Sequence, residues 1–253
     1  MMKKFYLALL FILFFLFFYN KRQTDVVFFK KNGNSQNKTE YKSIKSLASY
    51  NLSIHLIQRF PITLNGNLFY DDKKFRLSAS SFFGKELDIG INDNFLWYWS
   101  KRSKPKAIYY SNINNLNKTG LKSALNPEWI IISLNINNHI KNSKEIIKLP
   151  QGNLYLKDHN NALENGMTVG TLIDNDIVKG NYLFSNSGKM IASSEIIENQ
   201  TIAGVLIPKK LHIIWYDENI IMDWYISDVR LNQHIHNNVW LMPNIYPKID
   251  IGK

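Results

Sequence analysis

The side chains able to do chemistry are few and dispersed. His234-x-His236 is the only close histidine pair. On a strand both rings would share a face, as two metal ligands do, yet no carboxylate or third histidine stands beside them. Metal sites need three or four converging ligands, so a solvated strand end is the better account and no metal is expected. His55, His139, His159 and His212 occur singly, and Asp71-Asp72 reads more simply as a solvated hairpin turn than as an acid pair. Cysteine is absent, which removes disulfides, thiolate ligands, a thiol nucleophile and a lipid-modified cysteine. No GxSxG elbow or phosphate-cradling glycine loop occurs. The sequence therefore predicts a non-enzymatic protein with no cofactor.

The densest stretch is FLWYWSKRSKPKAIYY, residues 95–110, two aromatic runs joined by a basic loop carrying Lys101, Arg102, Lys104 and Lys106. Aromatics beside cations can hold single-stranded nucleic acid. The net charge of +11 points the same way, but 26 of the 31 basic residues are lysine and five are arginine. Asn and Ile are inflated as well, the mark of AT-rich coding rather than of phosphate recognition, which favours the arginine fork. No nucleic-acid partner is expected. In a strand Phe95, Trp97 and Trp99 share one face while Leu96 and Tyr98 share the other. Both faces are apolar, so either both are covered or one lines a cavity.

The N-terminus supplies the targeting signal. Lys3 and Lys4 precede an unbroken apolar run from Phe5 to Tyr19. That run suits a signal-peptide core and is shorter than the ~20 residues of a full span. No small-x-small cleavage site follows, so residues 1–20 read as a signal peptide or as a short membrane anchor. Residues 21–38, polar and turn-rich, read as a flexible linker. The protein is expected in the cell envelope, periplasmic, either secreted or tethered to the inner membrane.

The elements that position these residues follow from periodicity. Ile44, Leu47 and Ala48 stand at i, i+3, i+4 and predict a short amphipathic helix over 42–50. From residue 51 the period becomes two, with short links at Asp71-Asp72, Gly84-Lys85, Asn92–Asn94, Asn175-Asp176, Asn186–Gly188, Pro208-Lys209 and Asp217–Asn219. Short links make neighbouring strands antiparallel, and a large curved meander closes or half-closes to limit its edges. In LNPEWIIISL, Asn126 is a good N-cap, Pro127 suits the first turn and Glu128 favours the dipole, predicting a helix over 127–135, with a strand the alternative for Trp129–Ile132. After Gln233 the chain reads as an irregular tail, residues 233–253, with Pro243 and Pro247 in it.

The order of residues resembles the outer-membrane lipoprotein carrier and receptor family, the LolA/LolB-like superfamily. The likeness lies in Gly66 with Leu68 and Phe69, in Phe75-Arg76-Leu77, and in Asn92-Asp93 before Leu96-Trp97-Tyr98. Pro208–Ile213, Met222-Asp223-Trp224 and Val229–Asn232 are similar to the family's closing strands, so the resemblance spans about 42–232. It implies a mainly β fold over residues 39–232: an antiparallel unclosed barrel, or half-barrel, with short covering helices, here 42–50 and 127–135. It also implies a cavity for lipid or for the acyl chains of a lipid-modified protein, in lipoprotein or lipid trafficking. The alternative is an envelope scaffold or regulatory sensor that uses the fold to bind protein and carries no lipid. Candidate lining residues are Leu77, Leu87, Ile89, Phe95, Trp97, Trp99, Ile108, Tyr110, Ile213, Trp215, Met222 and Trp224. The cations Lys101, Arg102, Lys104 and Lys106 would form a rim toward anionic headgroups or simply solubilise their loop. Two departures withhold a specific role. Asp71-Asp72 replaces the basic-proline turn of the soluble carriers, and the lipidated cysteine of the receptors is missing.

Overall fold

The computed structural model describes residues 44–57, 61–118, 126–136, 143, 145–159 and 167–253. The expected signal or anchor and the linker lie outside them. Among the described residues no helix is long and apolar enough to cross a membrane.

Two antiparallel meanders make one open sheet of 14 strands. The first runs β1 (Ser46–Leu56), β2 (Ile62–Asp71), β3 (Lys74–Ser81), β4 (Gly84–Ile91), β5 (Phe95–Ser100) and β6 (Ile108–Asn112). The second runs β7 (Glu145–Leu149), β8 (Gly152–His159), β9 (Met167–Asp174), β10 (Ile177–Phe184), β11 (Met190–Ile202), β12 (Val205–Trp215) and β13 (Ile220–Leu231). They join where β1 pairs with β13. A last strand, β14 (Lys248–Asp250), pairs in parallel with β6, so β14 and β7 are the two edges of an unclosed half-barrel.

The two meanders are joined through a described helix that packs on the sheet. The chain leaves β6 near one edge and begins β7 at the other. Between them in sequence lies helix α1 (Pro127–Ser133), whose Trp129, Ile130 and Ile132 belong to the main apolar cluster of the sheet. Asn126 caps it as the sequence predicts, its Oδ1 accepting from Glu128 N at 2.9 Å, and Asn135 in the left-handed region (φ 54) ends it. We call the face under α1 the inner face.

Local chemistry explains the departures from expectation. The helix expected over 42–50 is the start of β1. Leu47 packs in the inner core and Ala48 in a second cluster with Ile235 and Trp240, so a strand buried on both faces imitates helical spacing. Pro208 lies inside β12, opposite Asn199 at a break in register, where a bulge tolerates its missing N–H. The turn itself is Ala203-Gly204, with φ of 50° and 79°. The link expected at Gly84-Lys85 is instead Phe82-Phe83, the tip between β3 and β4, and Gly84 already begins β4.

The segment after Gln233 is irregular but integral. His236 caps a short 3-10 turn (Asn237–Trp240), accepting from Asn238 N at 3.3 Å, so its ring serves the backbone. Trp240, Met242 and Tyr246 lie on the outer face, and Tyr246 stacks on Trp99 with centroids 5.1 Å apart. Both faces of the first meander are therefore clothed, which is why its strands are apolar on both sides.

Candidate functional site: the helix-covered face

Paired residues of antiparallel strands point to one face, so the register defines the inner surface row by row. One row runs Leu68, Leu77, Ile89, Tyr98; others run Ile54, Trp224, Leu211 and Leu56, Met222, Ile213. Into these α1 sets Trp129, Ile130 and Ile132, making one continuous apolar cluster with Leu52, Phe75 and Trp215. Trp129, Met222 and Trp215 are 1% exposed and Trp224 is 0%, so this face is closed to solvent.

A short polar seam ties the cover down. Thr171 Oγ1 donates to Asn181 Oδ1 at 2.9 Å, and Asn181 Nδ2 donates to the Ile132 carbonyl of α1 at 3.0 Å. The next residue in that row is Ser194, opposite Ile213. Its hydroxyl, the Ser133 hydroxyl and the indole N–H groups of Trp129 and Trp224 are buried and find no hydrogen-bond partner among the described residues. Such groups are costly inside an apolar cluster.

The candidate residues divide between the faces. Leu77, Leu87, Ile89, Ile213, Trp215, Met222 and Trp224 come together under α1. Trp97, Trp99 and Ile108 form a separate outer cluster with Tyr110, Met242 and Tyr246, while Phe95 meets Tyr110 edge-on at 5.7 Å. Trp97 can lie flat there because its partner is Gly90, where a Cβ would stand 2.0 Å from the indole. Of the rim cations, Arg102, Lys104 and Lys106 are exposed. Lys101 is half-buried and donates to Glu86 Oε1 at 3.0 Å.

Two outer-face networks carry charge. Asp88, 1% exposed, accepts from Arg76 Nη2 at 2.8 Å, from Trp97 Nε1 at 3.1 Å and from Lys85. A cross-strand row aligns Glu195, His212, Asp223 and His55, with His212 Nδ1 and Asp223 Oδ1 2.7 Å apart. Among the described residues no cluster of three or more His, Asp or Glu side chains is placed to hold a metal.

Burial raises the Glu195 carboxyl above the usual glutamate range, and the His212 field only partly opposes this. The folded state then holds a proton that the unfolded chain has released. That contribution is full below the unfolded pKa and is lost as pH rises through the raised one. Glu195→Gln should remove this component, so denaturation curves across mildly acidic pH are expected to show wild type losing ground to the variant as pH rises. Glu218, raised by its own burial, adds a slope of the same sign, and Glu86, lowered chiefly by the Ser81 hydrogen bond, one of opposite sign. The difference between variant and wild type isolates Glu195.

Sequence reasoning did not find Trp129, Asn181 or Ser194 as inner-face residues, nor Arg76 and Asp88 as a buried pair. The period-two pattern reports alternation along a strand. It carries no trace of which residues of another strand stand opposite.

An unclosed antiparallel half-barrel with a helix laid across its inner face is the LolA-like fold. A putative outer membrane lipoprotein-sorting protein domain from Vibrio parahaemolyticus is similar at 10% identity and TM-score 0.51, over 77% of this chain and 88% of its own. A LolA superfamily protein from Nitrosomonas europaea is similar at 10% identity and TM-score 0.54, over 78% and 90%. A DUF1329 family protein from Desulfovibrio piger reaches TM-score 0.56 at 9% identity, over 80% and 92%. No protein-family model and no curated protein matches the sequence. What is shared is the fold.

Proposed function

We propose that this chain is a non-enzymatic cell-envelope protein that holds acyl chains of a lipid, or of a lipid-modified protein, between α1 and the inner face of the sheet. The observation that carries this reading is the continuous apolar surface that the sheet shares with α1. Each methylene moved from water to such a surface gains about 0.8 kcal/mol, so a long acyl chain needs no polar constellation to bind. The closed state accounts for how cargo enters. With Trp129 and Trp224 shut off from solvent, an acyl chain would enter as α1 lifts from the sheet, to which the Asn181–Ile132 hydrogen bond ties it. The buried hydroxyls of Ser133 and Ser194 would then meet the polar end of the cargo. Two of the similar structures carry lipoprotein-sorting and LolA names, which agrees with this use of the fold.

The closed face also favours a second reading, a scaffold or sensor that binds protein and never opens. A photo-crosslinking fatty acid incubated with the full chain separates the two. Adducts are expected on peptides containing α1, β12 and β13. Adducts confined to residues outside the described sheet and helix, or none, would leave only the scaffold.

A further inference from the structure

The polar seam under α1 holds more hydrogen-bonding capacity than the fold uses. Asn181 stands at its centre, with Ser194 opposite on β11 and the Ile132 carbonyl bonded to its Nδ2. Ser133 follows that carbonyl at the end of α1, and Trp129 lies one helical turn earlier on the same side. Two hydroxyls thus flank one amide, with an indole N–H a turn away. All three are buried, and none finds a partner among the described residues. A polar group sealed from water without a partner is a standing cost to the fold. Local conflicts of this kind concentrate at functional sites.

The three groups restrict what they can recognise. An indole N–H only donates, and each hydroxyl carries one proton to donate, so an accepting oxygen satisfies them all. Charge narrows the choice of oxygen. The row through the seam runs Tyr155, Thr171, Asn181, Ser194, Ile213 and Met222, with no cation in it. The one charge on α1 is Glu128, an acid. Asp88, the one fully buried charged side chain among the described residues, belongs to the outer face with Trp97. A phosphate or an ionised carboxylate would lie here without a counter-charge. An ester or amide carbonyl accepts without needing one.

We infer that the seam is a subsite for the carbonyl of an ester-linked or amide-linked acyl chain, with Ser133, Ser194 and Trp129 as its donors. This rests on the cargo reading and sharpens it. The chain lies along the apolar cluster, and its carbonyl end is held between β10–β11 and the end of α1. An ester lipid and an acylated protein supply the same group.

Displacement of a fluorescent acyl ester from the full chain compares probes of equal chain length. Methyl oleate carries an ester, an N-oleoyl peptide an amide, octadecene no carbonyl, and oleate in alkaline buffer an anion. Both carbonyl probes should bind more tightly than octadecene or oleate, and the tighter of the two identifies the source, lipid or acylated protein. A donated hydrogen bond is worth about fivefold in affinity, so Ser133→Ala and Ser194→Ala should each weaken methyl oleate by that factor and leave octadecene unchanged. The infrared carbonyl band of isotope-labelled methyl oleate should fall in frequency on binding and return partway in each variant. Without ligand both variants should melt no lower than wild type, because each deletes a buried hydroxyl that has no partner. Equal affinity for methyl oleate and octadecene, oleate binding more tightly than its ester, or an unshifted carbonyl band would overturn the subsite. So would variants that melt lower and keep their preference for the ester. Each of these results leaves the apolar cargo site standing. Binding of no probe at all would remove that site, and the subsite with it, so the two failures are told apart.

Discussion

Asp88→Ala should destabilise the protein by about 3–5 kcal/mol, the usual cost of removing one partner of a buried ion pair. The carboxylate is 1% exposed and accepts from three side chains: Arg76 through Nε at 3.3 Å and Nη2 at 2.8 Å, Trp97 Nε1 at 3.1 Å, and Lys85. Alanine would leave a guanidinium only 17% exposed and an indole N–H without their acceptor. The damage should also spread. Arg76 Nη1 donates to the carbonyls of Val239 and Leu241 at 2.8 and 3.4 Å, which fastens the last segment of the chain over the outer face. Urea denaturation of Asp88→Ala should therefore show the loss of stability, and hydrogen exchange should show amides of 237–250 opening before those of β1–β4. Lys85→Ala is the comparison. Its ammonium is 34% exposed and its pair is worth far less, so a loss equal to that of Asp88→Ala would refute the hub.

What was legible in the sequence follows from how far each signal reaches along the chain. Asn126-Pro127-Glu128 sets the start of α1 locally, and the observed helix begins there. Asn175-Asp176 sets a hairpin locally too, with φ of 50° and 62°. Alternation within 95–99 separates Phe95, Trp97 and Trp99 from Leu96 and Tyr98, and the structure keeps them apart. Which set lies under α1 was not legible. It depends on Gly90 leaving room for Trp97 and on Met242 and Tyr246 arriving from more than a hundred residues away. Ile44, Leu47 and Ala48 misled for a related reason, since periodicity assumes one wet face and β1 has none. The Phe82-Phe83 tip broke turn chemistry, so turn signals placed the punctuation at Gly84. Such a local contradiction marks either strain or a surface with a use.

Trp224 and Trp97 offer the sharpest comparison of the two faces. Each is fully buried, so truncation to alanine should cost about 3–5 kcal/mol in either case. Phenylalanine should separate them. Trp97 Nε1 donates to Asp88, and losing that donor leaves a buried carboxylate short of a partner, a further ~1–3 kcal/mol. Trp224 Nε1 has no partner among the described residues, so Trp224→Phe forfeits packing alone and should be the milder change by thermal melts. Long-chain fatty acid then distinguishes space from mere core. If cargo lodges under α1, the room opened by Trp224→Ala lies where an acyl chain goes, and oleate should restore part of the lost Tm. The room opened by Trp97→Ala lies beneath the final segment, on the other side of the sheet, and oleate should restore nothing. Equal rescue of both variants would mean that the fatty acid stabilises through the surface, and rescue of neither would leave the inner face an ordinary core. Either result would remove the cargo site, because ligand stabilisation requires binding to the folded state at that place.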